Sequence, residues 1–366
     1  MTGKPEYSKG LEGVIAGETS ISHVEGDVGR LSYRGVDIHE LIEWPYLDVV
    51  SLVLTGARSF PKMEPLMKSG KLTCRERACL RAMGNEAHPM RMLQGLIPLL
   101  ETRGETDSLE AGLSIIAKIP TLIATYRQQQ LGNEDPTYCE DEDGDYLANY
   151  LTMFTGTAPS QKALDIFKTV QILQLEHSYN AGTFTALVAA STLAPLDSVI
   201  SAAVGALFGR LHGGADEAAL LDAKSVGSPE AAEAFIEQLL GSKGKLMGMG
   251  HREYRLVDPR AKILKPLAAE LCQGTEHENT YKTLDALEVA FNRKMAEKGK
   301  QVWANLEFYK GPVYEALGIP AEFFTATFAI SRSVGWLAHF LESREENRII
   351  RPKALYVGKL PGEEAA

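Results

Sequence analysis

The sequence is poor in cysteine, and Cys74, Cys79, Cys139 and Cys272 form no CxxC pair or metal-finger spacing. That excludes a disulfide-built scaffold and a zinc-finger module, leaving reduced thiols in a cytoplasmic protein as the expectation. Excess positive charge is also missing. A net charge of −10 argues against a nucleic-acid partner and against an anionic membrane surface. There is no long unbroken apolar run. Thr183 to Phe208 is interrupted by Ser191, Thr192, Pro195, Asp197 and Ser198, and reads as two buried helices rather than a membrane span. The segment from Met1 to Gly10 lacks the apolar core of a signal peptide. No GxGxxG follows a strand, and no phosphate-loop GxxxxGKS/T, GxSxG or HExxH occurs.

What is present is helical periodicity. A length of 366 residues, with 45% apolar and 23% charged side chains, predicts one large or two ordinary globular domains. The one good strand signal is a hairpin within Ile21 to Gly35. Helical spacing then dominates from Ile38 onward, through Arg91 to Leu100, Ala111 to Arg127 (kinked or divided at Pro120), Tyr146 to Thr155 and Ala163 to Glu176. Small-residue helices follow over Ala181 to Thr192 and Ser201 to Gly209, the kind that pack closely in a deep core or a subunit interface. Further helices are expected over Asp216 to Lys224, Pro229 to Gly241, Ala261 to Leu271, Tyr281 to Lys298 and Phe323 to Leu341. Trp303 to Gly311 reads as loop, followed by a short helix from Pro312 to Leu317. Gln128 to Asp145 reads as an acidic loop. Asp141, Asp143 and Asp145 invite a calcium reading, but the glycine and bidentate glutamate of an EF-hand are missing.

Against a negative chain, clustered arginines are informative. Gly248-Met249-Gly250-His251-Arg252 runs on to Arg255, Asp258, Pro259 and Arg260. It combines a flexible approach, a proton carrier and several anion clamps. The same residues also fit a Gly-rich loop before a surface helix with solvated arginines. Three histidines sit at small-residue junctions: His177 before Asn180-Ala181-Gly182, His212 before Gly213-Gly214, and His251 after Gly250. The helix expected after His212 would keep that imidazole neutral and able to donate to a developing oxyanion. Zinc binding by the three finds no support in their spacing or in any carboxylate or cysteine pattern.

Taken together, Leu211-His212-Gly213-Gly214-Ala215, Gly248 to Arg252 with Asp258-Pro259-Arg260, and Ala304 to Tyr309 resemble the three catalytic segments of the citrate synthase family. Gly13 to Gly35, His177 to Ala181, Ile330-Ser331-Arg332 and Arg351-Pro352-Lys353 add supporting matches, in order, from about Gly10 to Gly358. The resemblance implies an all-α, two-domain helical homodimer, or a higher homo-oligomer, with a small N-terminal β-hairpin. Residues 1–212 and 319–366 would form the large, dimer-forming domain, and 213–318 a small domain closing over the cleft.

It also implies a Claisen-type condensation of the tricarboxylic acid cycle. Acetyl-CoA, or alternatively propionyl-CoA, would join oxaloacetate to give citrate or 2-methylcitrate plus CoA, with no metal and with coenzyme A as substrate rather than resident cofactor. By resemblance His212, His251 and Glu307 are catalytic. His177, Arg260, Arg332 and, from the partner subunit, Arg351 hold oxaloacetate. Gly248, Met249, Gly250, Arg255 and Lys300 meet CoA. The family base is an aspartate, and Glu307 stands there. Arg210, Asp216, Gly182, Lys310 and Ala304 replace a proline, an asparagine, a serine, a small polar residue and a proline. Two alternatives are a low-activity paralogue with a binding or regulatory role, and a condensing enzyme for another acyl-CoA or 2-oxo acid.

Overall fold

The computed structural model describes residues 7–133, 145–359 and 361. Three short strands, β1 (Ser22–Glu25), β2 (Arg30–Tyr33) and β3 (Val36–Asp37), form an antiparallel sheet in chain order. Ser22 faces Tyr33, Glu25 faces Arg30, and Ser32 faces Asp37. The sequence predicted only a hairpin. The third strand exists because Arg34 and Gly35, at φ 48° and 84°, reverse the chain in two residues, as a type I′ turn requires. A two-residue strand is too short to show alternation.

The rest is helical: α1 (Ile38–Leu41), α2 (Tyr46–Thr55), α3 (Met63–Lys68), α4 (Cys74–Ala82), α5 (Pro89–Leu96), α6 (Leu109–Gln130), α7 (Tyr146–Thr155), α8 (Gln161–Gln174), α9 (Ala181–Ser191), α10 (Leu196–Leu207), α11 (Ala215–Val226), α12 (Ala232–Gly241), α13 (Pro259–Cys272), α14 (Glu278–Glu297), α15 (Leu306–Ala316) and α16 (Phe324–Glu345). At the centre α6 packs on α16, and both are buried on every side from Ala111 to Tyr126 and from Phe324 to Phe340. Gly112 permits this approach, since a Cβ there would meet Leu337 Cδ1 at 2.3 Å. α6 is long and apolar enough to cross a membrane, and 89% of its apolar window is buried within the protein. Helix α16 also touches α2, α8, α9 and α10. Helices α11 to α15 pack chiefly on one another, with α13 leaning on α8.

Several sequence expectations need correction. Trp303 to Gly311 is not all loop. Helix α15 starts at Leu306, because the Asn305 side chain accepts from the Glu307 N–H, and it runs through Pro312. Pro120 likewise sits inside an undivided α6. Tight burial holds both helices against the loss of one backbone hydrogen bond. Helix α10 begins at Leu196 rather than Ser201, and α4 was not anticipated. α4 is a short, highly charged helix that a capping box at Thr73 and Glu76 starts. Gln128 to Gln130 end α6, and Asp145 caps α7 by accepting from Leu147 and Ala148 N–H. Cys139, Asp141 and Asp143 lie outside the described residues. The three described cysteines, Cys74, Cys79 and Cys272, are free thiols.

Candidate active site

Side-chain caps begin three of the helices around the site. Asn180 starts α9 and Asn305 starts α15. Asp258 starts α13, with its side chain accepting from Arg260 N–H. Asp258 also grips the Arg260 guanidinium, taking Nε–H at 3.0 Å and Nη2–H at 2.8 Å. Its Oδ2 accepts from Leu306 N–H at 3.3 Å, which ties α13 to α15. Burial works against the Arg260 charge, but Asp258 outweighs it and raises the arginine pKa.

The loop before α13 is pinned from two sides. Gly26, in the β1–β2 turn, accepts from Arg255 N–H at 3.1 Å, and a Cβ on Gly26 would strike Glu253 O at 2.1 Å. On the other side Gly250 N–H donates to Trp303 O at 2.8 Å, and Asn305 N–H to Gly248 O at 2.9 Å. Gly248 has φ 79°, and a Cβ there would press on Phe308 at 3.0 Å. The glycines therefore let this loop close against the start of α15.

Within that frame His251 Nδ1 accepts from Glu253 and Tyr254 N–H, at 3.0 and 3.1 Å. The proton of the neutral ring thus sits on Nε2. Burial, then Arg260, lowers the His251 pKa to about 4. The His177 and His251 rings meet edge to face at 5.2 Å, and His177 Nε2 lies 3.2 Å from Tyr254 Oη. His177 is held well below its ordinary pKa by burial, with Arg260, His251 and Arg332 adding to it.

His212 packs at the start of α9, its Nε2 3.3 Å from the Gly182 N–H and 3.2 Å from Asn180 Oδ1. The ring therefore meets the positive end of α9, in addition to preceding α11 in the chain. Burial, then Arg332 and Lys310, lowers the His212 pKa to about 3. Arg332 is buried on α16 and donates from Nε to Gln174 O at 2.8 Å. Its pKa falls to about 10 through burial, Glu176 opposing and Arg260 adding to the fall. Glu307, on the first turn of α15, keeps 15% side-chain exposure and contacts the fully buried Lys310.

His177, His212, His251, Arg260, Arg332 and Glu307 are thus linked by contact or by each other's charge. Gly248, Met249 and Gly250 border this group through the loop before His251, while three other expected residues stand apart. Arg255 is exposed and pairs with Asp27 at 3.2 Å, Lys300 is exposed beyond α14, and Arg351 lies exposed in the tail. Among the described residues no group of three or more His, Cys, Asp or Glu is placed to hold a metal ion. The sequence reading missed Tyr254 and Asn180. Their signal was proximity, since Tyr254 follows His251 by three residues and Asn180 follows His177 by three.

Comparison with known proteins supplies the family. The citrate synthase C-terminal domain matches residues 10–353. A citrate synthase of Synechocystis is 37% identical, over 98% of this chain and 92% of its own. The chain belongs to the citrate synthase family. A citrate/2-methylcitrate synthase of Bacillus subtilis is 35% identical, covering 98% of both chains. Among solved structures, the citrate synthase of Thermotoga maritima has a TM-score of 0.88 and 31% identity, over 99% of this chain and 98% of that one. A Thermoplasma acidophilum citrate synthase, in ternary complex with carboxymethyl coenzyme A and oxaloacetate, matches with TM-score 0.88, 29% identity and the same coverage. As a citrate synthase-family enzyme the chain forms a carbon–carbon bond by acyl transfer, on an all-α scaffold.

Proposed function

We propose that this enzyme condenses acetyl-CoA, or propionyl-CoA, with oxaloacetate, giving citrate or 2-methylcitrate and CoA. The observation that carries the reading is the convergence of His251 Nε2–H and the Arg260 guanidinium, 3.3 Å apart, beside a buried Arg332. Two donors and two buried cations suit a small oxo dicarboxylate.

In this reading Glu307 takes a proton from the thioester methyl group, and a ring N–H of His212 donates to the enolate oxygen. The enolate carbon attacks the ketone, His251 protonates the new alkoxide, and water hydrolyses the thioester. His177, Arg260 and Arg332 hold the oxo acid, with Arg351 reaching in from a partner subunit of a homodimer. Gly248, Met249, Gly250, Arg255 and Lys300 border CoA. Residues 213–318 close over the cleft of 1–212 and 319–366, a division that the mutual packing of α11 to α15 favours. The chemistry draws on these groups and the thioester, and we place it in the cytoplasm. Thiol release with acetyl-, propionyl- and butyryl-CoA against oxaloacetate tests the reading. Turnover with at least one, lost in Glu307→Gln, is expected; undiminished turnover in Glu307→Gln overturns the assignment of the base.

The contact between Glu307 and Lys310 favours a second reading, binding without turnover. Calorimetry that detects CoA and oxaloacetate binding, beside no thiol release from any acyl-CoA, would select it.

A further inference from the structure

Lys310 has no exposed side-chain surface. It lies one helical turn after Glu307 on α15, so the two share a face. Its Nζ contacts Glu307 Oε2, lies 3.1 Å from Asp216 Oδ2 and donates to Gln174 Oε1 at 3.4 Å, with the Phe328 ring 4.1 Å below. The two carboxylate contacts are ion pairs without aligned hydrogen-bond geometry, and neither oxygen has a hydrogen-bond partner. A buried ammonium without carboxylates is very unfavourable. One carboxylate would suffice to neutralise it; here there are two, each on the first turn of its helix, where the dipole favours an anion. The cluster thus carries the net charge of a single carboxylate.

We propose that Lys310 and Asp216 are positioning residues for the Glu307 base, one ammonium shared between two carboxylates so that the three act as a unit. This rests on Glu307 being the base. Lys310 fixes the Glu307 carboxylate, and Asp216 draws off enough of the lysine's charge to leave Glu307 basic. Asp216 behaves as such a partner: burial raises its pKa to about 6, with Lys310 opposing and Glu307 adding to the rise. The other titratable groups facing the cluster are His212, Tyr314 and Arg332. Elsewhere on the packed elements, Lys265 pairs with Asp285 and Glu288, Lys224 with Glu315, and Arg260 with Asp258. Glu322 instead faces His88 and Glu217.

The test is a double-mutant cycle on the full-length protein. The kcat and both KM values are followed from pH 5.5 to 9 for wild type, Asp216→Asn, Lys310→Met and the double variant. Asp216→Asn leaves the ammonium to neutralise Glu307. The expected result is a kcat loss of about tenfold or more, with the acid limb of kcat moved to lower pH. Lys310→Met leaves two carboxylates facing each other, and the acid limb moves to higher pH. The double variant returns to one carboxylate's charge and recovers at least about tenfold over the weaker single variant. Losses that multiply in the double variant, with unmoved acid limbs, reduce both residues to structural support and overturn the proposal.

Should Lys310→Met not fold, Lys310→Arg and Asp216→Asn carry the test. The first is expected to lower kcat with the acid limb in place, the second to move it; the same limb in both variants also overturns the proposal. Wild-type turnover and its loss in Glu307→Gln are the controls. If they fail, the reading of the base falls; if they hold and the cycle is additive, only the coupling falls.

Discussion

His251 Nε2–H and Arg260 Nη2 face one another across 3.3 Å, two donors aimed at one volume. Neither satisfies the other, whereas an oxygen between them accepts from both. Arg260→Lys keeps a positive charge but loses the forked grip on Asp258 and the second donor toward substrate. The expected result is a roughly 100-fold fall in kcat/KM for oxaloacetate, mostly through KM, with the KM for acetyl-CoA changed by less than about threefold. Steady-state kinetics decides, and an unchanged oxaloacetate KM removes Arg260 from the oxo-acid site.

Buried neutral imidazoles make stability depend on pH. His212 and His251, with folded pKa values of about 3 and about 4, bind fewer protons folded than unfolded below pH 6.5. Their contribution is complete above pH 6.5 and is lost as pH falls toward those values, at about 1.4 kcal/mol per pH unit for each ring. Asp216, raised to about 6, works the other way and gains stability as pH falls through that value. Denaturant melts at pH 7 and pH 5 are therefore expected to show a smaller drop for His212→Gln than for wild type. Equal drops would mean that the imidazole is not held neutral.

Much of this architecture was legible in the sequence. The helical periods located most elements, and the three His junctions with the arginine cluster located four of the six linked site residues; Glu307 and the role of Arg332 came from the family resemblance. What escaped has physical reasons. α15 was misread because Pro312 and Gly311 look like breakers, while the signal that starts it, Asn305, is a single capping side chain. The meeting of α9 with His212 was not legible, because α9 reaches that ring through tertiary packing rather than sequence order. The Asp216–Lys310 pair joins α11 to α15 across 94 positions of chain (310 − 216), and no local pattern reports such a pairing.

Gly182 lies where His212 can be tuned. A Cβ there would sit 3.2 Å from Trp336 Nε1, 3.3 Å from Asn180 Oδ1 and 3.3 Å from His212 Nε2. These are tight contacts, and Trp336 Nε1 is a buried donor without a partner. A serine hydroxyl can accept from Trp336 and hydrogen-bond to His212, offsetting the crowding, whereas valine brings only bulk. Gly182→Ser is expected to keep kcat within about threefold, and Gly182→Val to lose more than about tenfold, with the oxaloacetate KM little changed in both. Equal losses would show that volume alone governs the position.

Asp258 joins two helices as well as holding one arginine. Its carboxylate takes the Arg260 backbone N–H, two guanidinium donors and Leu306 N–H, with only 1% of the residue exposed. Removing it leaves a buried guanidinium without its counter-charge and strips the cap from α13 while releasing the start of α15. Asp258→Ala is expected to cost about 3–5 kcal/mol of stability, the range for breaking a buried pair by deleting one partner. Asp258→Asn keeps one acceptor oxygen for the cap but not the charge, so it falls between alanine and wild type. Chemical denaturation at pH 7.5 measures both. Because Leu306 adjoins Glu307, kcat should fall in Asp258→Asn even where the protein stays folded. A variant with wild-type kcat and lowered stability would confine Asp258 to holding the fold.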